Sequence, residues 1–213
     1  MRAQTRPPAQ WIVVDDGGAP PPLTMGQQYL RRRGEDVGGA SLARNLLAAI
    51  PAVRGQYVFL IEDDDYYAPD HIAMNLERLE AHEASGCSWM RYYNVEQQGW
   101  RKSQNACSTL SGTSFRASKL PTFRQACETA LATDTYHVDR YFWRKMKAGC
   151  LHEERTMIGM KGMPGEKGIG IGHRKVGWHD DPLFAKLRAW TGSDWRYYEP
   201  FCKARRLSAC TVS

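Results

Sequence analysis

Two short apolar runs stand out along the chain. Residues 11–14 (Trp11, Ile12, Val13, Val14) and residues 57–61 (Tyr57, Val58, Phe59, Leu60, Ile61) are rich in β-branched and aromatic side chains. Each stops at acidic residues: Asp15 and Asp16 in the first case, Glu62, Asp63, Asp64 and Asp65 in the second. Runs of this length and type predict buried strands. Between them the period changes. Leu42, Leu46, Ala49 and Ile50 fall near one face of a helix that Ser41 can cap, and Ile72, Leu76 and Leu79 recur at helical spacing behind Pro69, to about residue 85. Further strands are expected near residues 88–94 and 109–115, with a polar segment between them, and a helix over about 138–148 closed by Gly149. Residues 160–172 are rich in glycine and read as a loop; the remainder reads as helical and aromatic. Strand, helix, strand, helix, with acidic residues at the carboxyl ends of both strands, predicts an α/β fold with a mostly parallel central sheet flanked by helices. Such sheets bind ligands in the crevice outside those ends.

With 213 residues, 42% of them apolar and 24% charged, the chain is expected to form one globular domain over residues 1–213, and disorder, collagen and a disulfide miniprotein are excluded. Six scattered cysteines without a C-x-x-C pair argue against a zinc ribbon and for reduced thiols. No apolar run approaches the ~20 residues a bilayer requires, so a cytoplasmic protein without a membrane span is expected. The net charge of +6 hides an asymmetry: residues 1–100 hold 9 basic and 13 acidic side chains, residues 101–213 hold 20 and 10. An acidic front and a basic rear suggest a metal or sugar end and a polyanion end, with a merely solvated basic surface as the alternative.

Four adjacent carboxylates, Glu62 to Asp65, repel one another, and a divalent cation relieves that repulsion. Oxygen donors of this hardness suit Mg2+ or Mn2+. A solvated acidic turn ahead of the following helix accounts for the same residues equally well. An EF-hand is excluded, because neither its glycine nor its terminal Glu follows at the required spacing.

Four segments carry a resemblance. Residues 11–17, then Ala43, Arg44 and Asn45, then residues 59–65 with Pro69 beyond them, then Val138 and Asp139 ahead of Tyr141, Phe142, Trp143, Met146 and Gly149, follow one another in order. They resemble the V-D-D-G strand end, the A-R-N helix, the D-x-D-D strand end and the E-D-x-x-F/W helix of glycosyltransferase family 2, which has the GT-A fold. The resemblance implies a metal-dependent, inverting transfer of a hexosyl or pentosyl group from a nucleotide-sugar, a UDP-sugar first, to a hydroxyl acceptor. Asp15, Asp16 and Arg44 would contact the nucleotide, Asp63 and Asp64 the donor, and Asp64 and Asp65 the Mn2+ or Mg2+. Asp139 would be the catalytic base, with a capping carboxylate at a helix amino end as the alternative. His173, after the glycine-rich loop, would complete the metal site unless it is an ordinary surface or core histidine. Lys161 and Lys167, with the amides of residues 168–172, would cradle the diphosphate. Glu62 replaces the family's first Asp, which leaves open which carboxylate touches the metal.

The family's domain begins with a further strand and helix, and only ten residues precede Trp11, so the first strand is expected either to lie upstream of Met1 or to be missing. The resemblance puts the nucleotide-sugar half at residues 1–100 and the acceptor half at 101–213, with Gly112 and Thr113 bordering the acceptor. The basic rear, with Trp89, Trp100, Trp178, Trp190 and Trp195 as stacking surfaces, makes a nucleic acid a plausible acceptor, for instance a hydroxylated base in phage-type DNA. A glycan acceptor and a weakly active or inactive nucleic-acid-binding relative are the alternatives. A haloacid-type phosphatase is excluded, because Asp15 does not open a D-x-D-x-T loop.

Overall fold

The computed structural model describes residues 3–17, 26–32, 39–153, 156–164 and 177–202. In chain order it contains β1 (Ile12–Asp15), β2 (Gln28–Arg31), α1 (Gly39–Ala49), β3 (Tyr57–Phe59), β4 (Tyr66–Tyr67), α2 (His71–Ala81), β5 (Ala84–Asn94) and β6 (Gly99–Gln104). Then follow β7 (Ser114–Arg116), α3 (Leu120–Ala132), α4 (Val138–Trp143), β8 (Gly149–Glu153), β9 (Met157–Lys161), β10 (His179–Asp180), α5 (Ala185–Thr191) and α6 (Trp195–Tyr198). His173, Lys167, the glycines of residues 168–172 and the basic tail lie outside the described residues.

The fold is α/β, but the expectation of a mostly parallel sheet is corrected. The eleven-residue β5 is the hub of an eight-stranded mixed sheet. It pairs antiparallel with β6 and β7 and parallel with β8 and β9, while β3–β7, β4–β9 and β6–β10 are all antiparallel. The physical reason lies in the connections. β5 and β6 are joined by a tight turn over residues 95–98, with Gln98 at φ 50°, and strands joined so closely must run antiparallel. β1 and β3, the two strands most legible in the sequence, are not neighbours. β1 pairs in parallel with β2 as a separate two-stranded sheet, and β3 pairs only with β7 among the described residues. Gln10 links the two regions: its side-chain amide donates to the Ala52 carbonyl (2.8 Å) and its carbonyl accepts from Arg54 N–H (2.9 Å).

Other boundaries shift as well. The helix expected to run to residue 148 ends at Trp143, and Gly149 opens β8 instead of capping a helix. A Cβ there would lie 2.5 Å from the Trp143 ring, so close approach requires that glycine. Met160 and Lys161 belong to β9, not to the glycine-rich loop.

Two principal clusters fill the core. α1, α3 and α4 bury Phe123, Ala126, Cys127, Ala130, Val138 and Phe142 against Phe115 of β7, and the rings of Phe115, Phe123 and Phe142 pack with centroids 5.0 to 5.6 Å apart. On the other side, α5 and α6 bury Leu187 and Tyr198 over Tyr93, Ile158 and Met160. The acidic turn after β3 comes out between the loop that precedes β7 and strand β9.

Candidate active site

After β3 the chain enters the loop beside β7, where Leu60 N–H donates to the Thr113 carbonyl (3.1 Å), and then turns into β4, whose Tyr66 pairs with Ile158 of β9. The four carboxylates therefore sit in a turn clamped at both ends by sheet. They separate by burial. Asp63 is exposed and stands apart, whereas Glu62, Asp64 and Asp65 each place one carboxylate oxygen within 4.8 Å of the others. Asp65 is the deepest, with its side chain 2% exposed, and its Oδ1 accepts from Met160 N–H and from the Lys161 ammonium, both at 3.1 Å. Lys161 Nζ also donates to Asp64 Oδ2 at 3.1 Å. Tyr67 lies beneath: its hydroxyl accepts from Glu62 N–H (3.0 Å) and faces the Ser111 carbonyl (3.4 Å).

Burial sets the electrostatics. Taking carboxylates out of water pushes Glu62 up to about 8 and Asp65 to about 6, and neighbouring negative charge adds to both. Burial opposes the charged form of Lys161, but Asp65 and Asp64 outweigh it and hold the ammonium above its ordinary value. An uncompensated buried carboxylate costs several kcal/mol, so Asp64 and Asp65 share one ammonium, and ionising Glu62 beside them requires further positive charge. This donor set fits a divalent ion: the oxygens are hard, they converge, and a cationic nitrogen already contacts two of the three carboxylates.

Asp139 lies in the first turn of α4, where its carboxylate accepts from Arg140 N–H (2.7 Å). Burial raises its proton affinity, and its charge in turn adds to the upward push on Glu62 and on the Cys107 thiol. Its chain neighbour Arg140 lines a cavity of about 290 Å3 together with Cys107, Trp143, Arg144 and Leu151 among others. Gly112 and Thr113, expected at the acceptor, lie beneath it: Thr113 is buried and accepts from Trp143 Nε1–H at 3.0 Å.

The first strand end forms its own polar group. Tyr29 Oη–H donates to Asp15 Oδ2 (2.6 Å) and Gly17 N–H to Oδ1 (2.7 Å), and these bonds hold the carboxylate below its usual range. Asp16 takes Arg32 as its cation (3.1 Å) and accepts from the Ser41 hydroxyl, while Arg44 is on the exposed side of α1. The structure thus brings Asp64 and Asp65 together with Glu62 and with Lys161, the residue expected at the diphosphate, adds Tyr67 and Ser111, and leaves Asp63 outside. Spacing does not reveal that Lys161 touches the carboxylates, because its contacts to Asp64 and Asp65 span 97 and 96 residues.

The basic rear is aromatic, but most tryptophan faces are taken by the chain's own cations: Arg101 over Trp178 (4.7 Å), Lys186 over Trp100 (4.8 Å), Arg91 over Trp190 (5.5 Å) and Arg188 over Trp195 (4.1 Å). Trp89 is 40% exposed. No disulfide forms among the described cysteines, and no described helix is long and apolar enough to cross a membrane.

The family model for glycosyl transferase family 2 matches residues 1–147. No curated protein matches the chain.

Proposed function

The chain belongs to glycosyltransferase family 2, and from that premise we propose that it moves a sugar from a nucleotide-sugar, a UDP-sugar first, to a hydroxyl acceptor with a divalent ion and with inversion. The observation that carries the reading is the convergence of Glu62, Asp64 and Asp65 together with a separate, half-buried carboxylate, Asp139. Asp64 and Asp65 would hold Mn2+ or Mg2+ with Glu62, and His173 would serve as a further ligand. When bound, such an ion supplies Lewis-acid stabilisation of the departing diphosphate. Asp139 takes the proton from the attacking hydroxyl; burial makes it a better proton acceptor than an exposed carboxylate, and a positioned general base contributes about 10²–10⁴-fold. Asp15, fixed by Tyr29 and Gly17, orients the nucleotide together with Asp16 and Arg44, and Lys167 and Asp63 would contact the donor.

The acceptor would enter by the cavity beside Asp139. Arg140 and Arg144 face it one helical turn apart, and guanidinium groups suit phosphate oxygens. With the basic rear this supports a phosphate-bearing acceptor, of which a hydroxylated base in phage-type DNA is the form we favour, for a protein acting in the cytoplasm. The same basic surface also supports a second reading, a nucleic-acid-binding relative without turnover. A mass-spectrometric screen separates them: nucleotide-sugars are incubated with hydroxymethylated DNA and with simple glycans, with Mn2+ and with chelator. A metal-dependent mass increase on DNA is expected; an increase on glycans alone sinks the nucleic-acid acceptor, and none on any acceptor, with no free nucleotide released, sinks the transferase.

A further inference from the structure

Lys161 is a buried ammonium in contact with two carboxylates assigned above to a divalent ion. We propose that Lys161 is a tethered cation that exchanges with that ion: it holds Asp64 and Asp65 together before metal arrives, and leaves them for the donor's diphosphate when metal enters. The inference rests on the metal-dependent reading of these carboxylates.

Three observations support it. Lys161 Nζ lies 3.1 Å from both Asp64 Oδ2 and Asp65 Oδ1, and its side chain is only 9% exposed. A divalent ion at its ordinary ~2.0–2.2 Å from those oxygens would stand within repulsive distance of an ammonium in this position, so the carboxylates serve one cation at a time. Second, the backbone is pinned independently of the side chain. Lys161 is the last residue of β9, registered against Asn94, and its carbonyl accepts from Val95 N–H at 2.8 Å. The four-carbon stem can therefore swing without unpairing the sheet, and the chain leaves at once through Gly162 at φ +73°. Third, Asp65 stays held when the ammonium departs, because Met160 N–H donates to the same oxygen at 3.1 Å. Lys161 lies beyond the residues that the family model matches, so this cation belongs to the chain's own second half. Its destination follows from charge: a diphosphate arriving with the metal is the nearest concentration of negative charge that the metal does not fully neutralise.

Isothermal titration of Mn2+ into the full chain, without nucleotide, tests the exchange in wild type, Lys161→Met and Lys161→Arg, with folding checked by circular dichroism. Removing a competing cation should tighten Mn2+ binding in Lys161→Met by about 5–150-fold, the usual span of coupling between two ligands. Lys161→Arg should bind Mn2+ more weakly than wild type, because a guanidinium grips carboxylates through a fixed fork. Uridine diphosphate added at saturating Mn2+ should bind Lys161→Met more weakly than wild type. A purely structural ion pair predicts looser metal binding in both variants. Equal or weaker Mn2+ binding by folded Lys161→Met overturns the exchange while wild-type binding keeps the metal reading intact. Absence of Mn2+ binding in wild type and in folded Lys161→Met ends both. Should Lys161→Met not fold, wild-type Mn2+ affinity in Lys161→Arg overturns the exchange by itself.

Discussion

Glu62 shows how a single residue records the character of the site. Its folded value of about 8 lies well above the 4.5 of a free glutamate, with burial first among the causes and Asp65 next. Between those values the folded chain holds a proton that the unfolded chain has lost, so the stability present below pH 4.5 is progressively lost as pH rises through 8. Asp65 shifts in the same direction. In the presence of chelator, the thermal midpoint should therefore fall as pH rises from 5 to about 8.5, and Glu62→Gln should flatten that fall; a midpoint that climbs over the range contradicts the burial. Mn2+ should raise the midpoint more at high pH than at low, since it binds only ionised carboxylates. The acidic run was legible as a candidate metal site, but its membership was not: Asp63 and Glu62 differ in burial only because the turn between β3 and β4 sends one outward and the other over Tyr67.

At the scale of elements, strand β5 does the organising. Its Gly86 leaves room for Trp143 and Ser108, which an added Cβ would strike. Gly86→Ala should cost about 1–3 kcal/mol by overpacking. That corresponds to a melting midpoint lower by roughly 2–4 °C per kcal/mol in a domain of this size. An unchanged midpoint in differential scanning calorimetry would mean that α4 does not pack on β5 as described. Elements with a strong apolar period, β1, α1, β3 and α2, were visible in the sequence to within a few residues. Strand β6 was not, because Gly99–Gln104 carries one large apolar residue and becomes a strand only through six paired positions on β5. α3 had a readable stripe of Phe123, Ala126, Cys127 and Ala130 and was not among the expected elements. The last two residues of β9, Met160 and Lys161, head a glycine-rich stretch whose loop signal masks the strand that delivers Lys161.

Across the whole molecule, the charge division has a spatial meaning. The acidic excess of the first hundred residues includes the carboxylate trio, and the basic excess of the rest includes Arg140 and Arg144 at the cavity and the cations stacked on Trp100, Trp178 and Trp195. If that surface receives a phosphate-bearing acceptor, the logarithm of the affinity for single-stranded DNA should fall linearly with the logarithm of salt concentration, at about 0.7 per phosphate neutralised. Arg140→Ala combined with Arg144→Ala should make the slope shallower; affinity indifferent to salt rules out the polyanion. The measurement closest to the central claim is the release of nucleotide from a bound nucleotide-sugar, followed beside donor affinity in wild type, Asp65→Ala and Asp139→Asn with Mn2+. Wild type should release nucleotide only with metal. Asp65→Ala should lose both binding and release, and Asp139→Asn should keep donor affinity while release falls about 10²–10⁴-fold. Release that is unchanged in both variants, or that proceeds equally in chelator, would contradict the assignment of a metal-held donor and an Asp139 base.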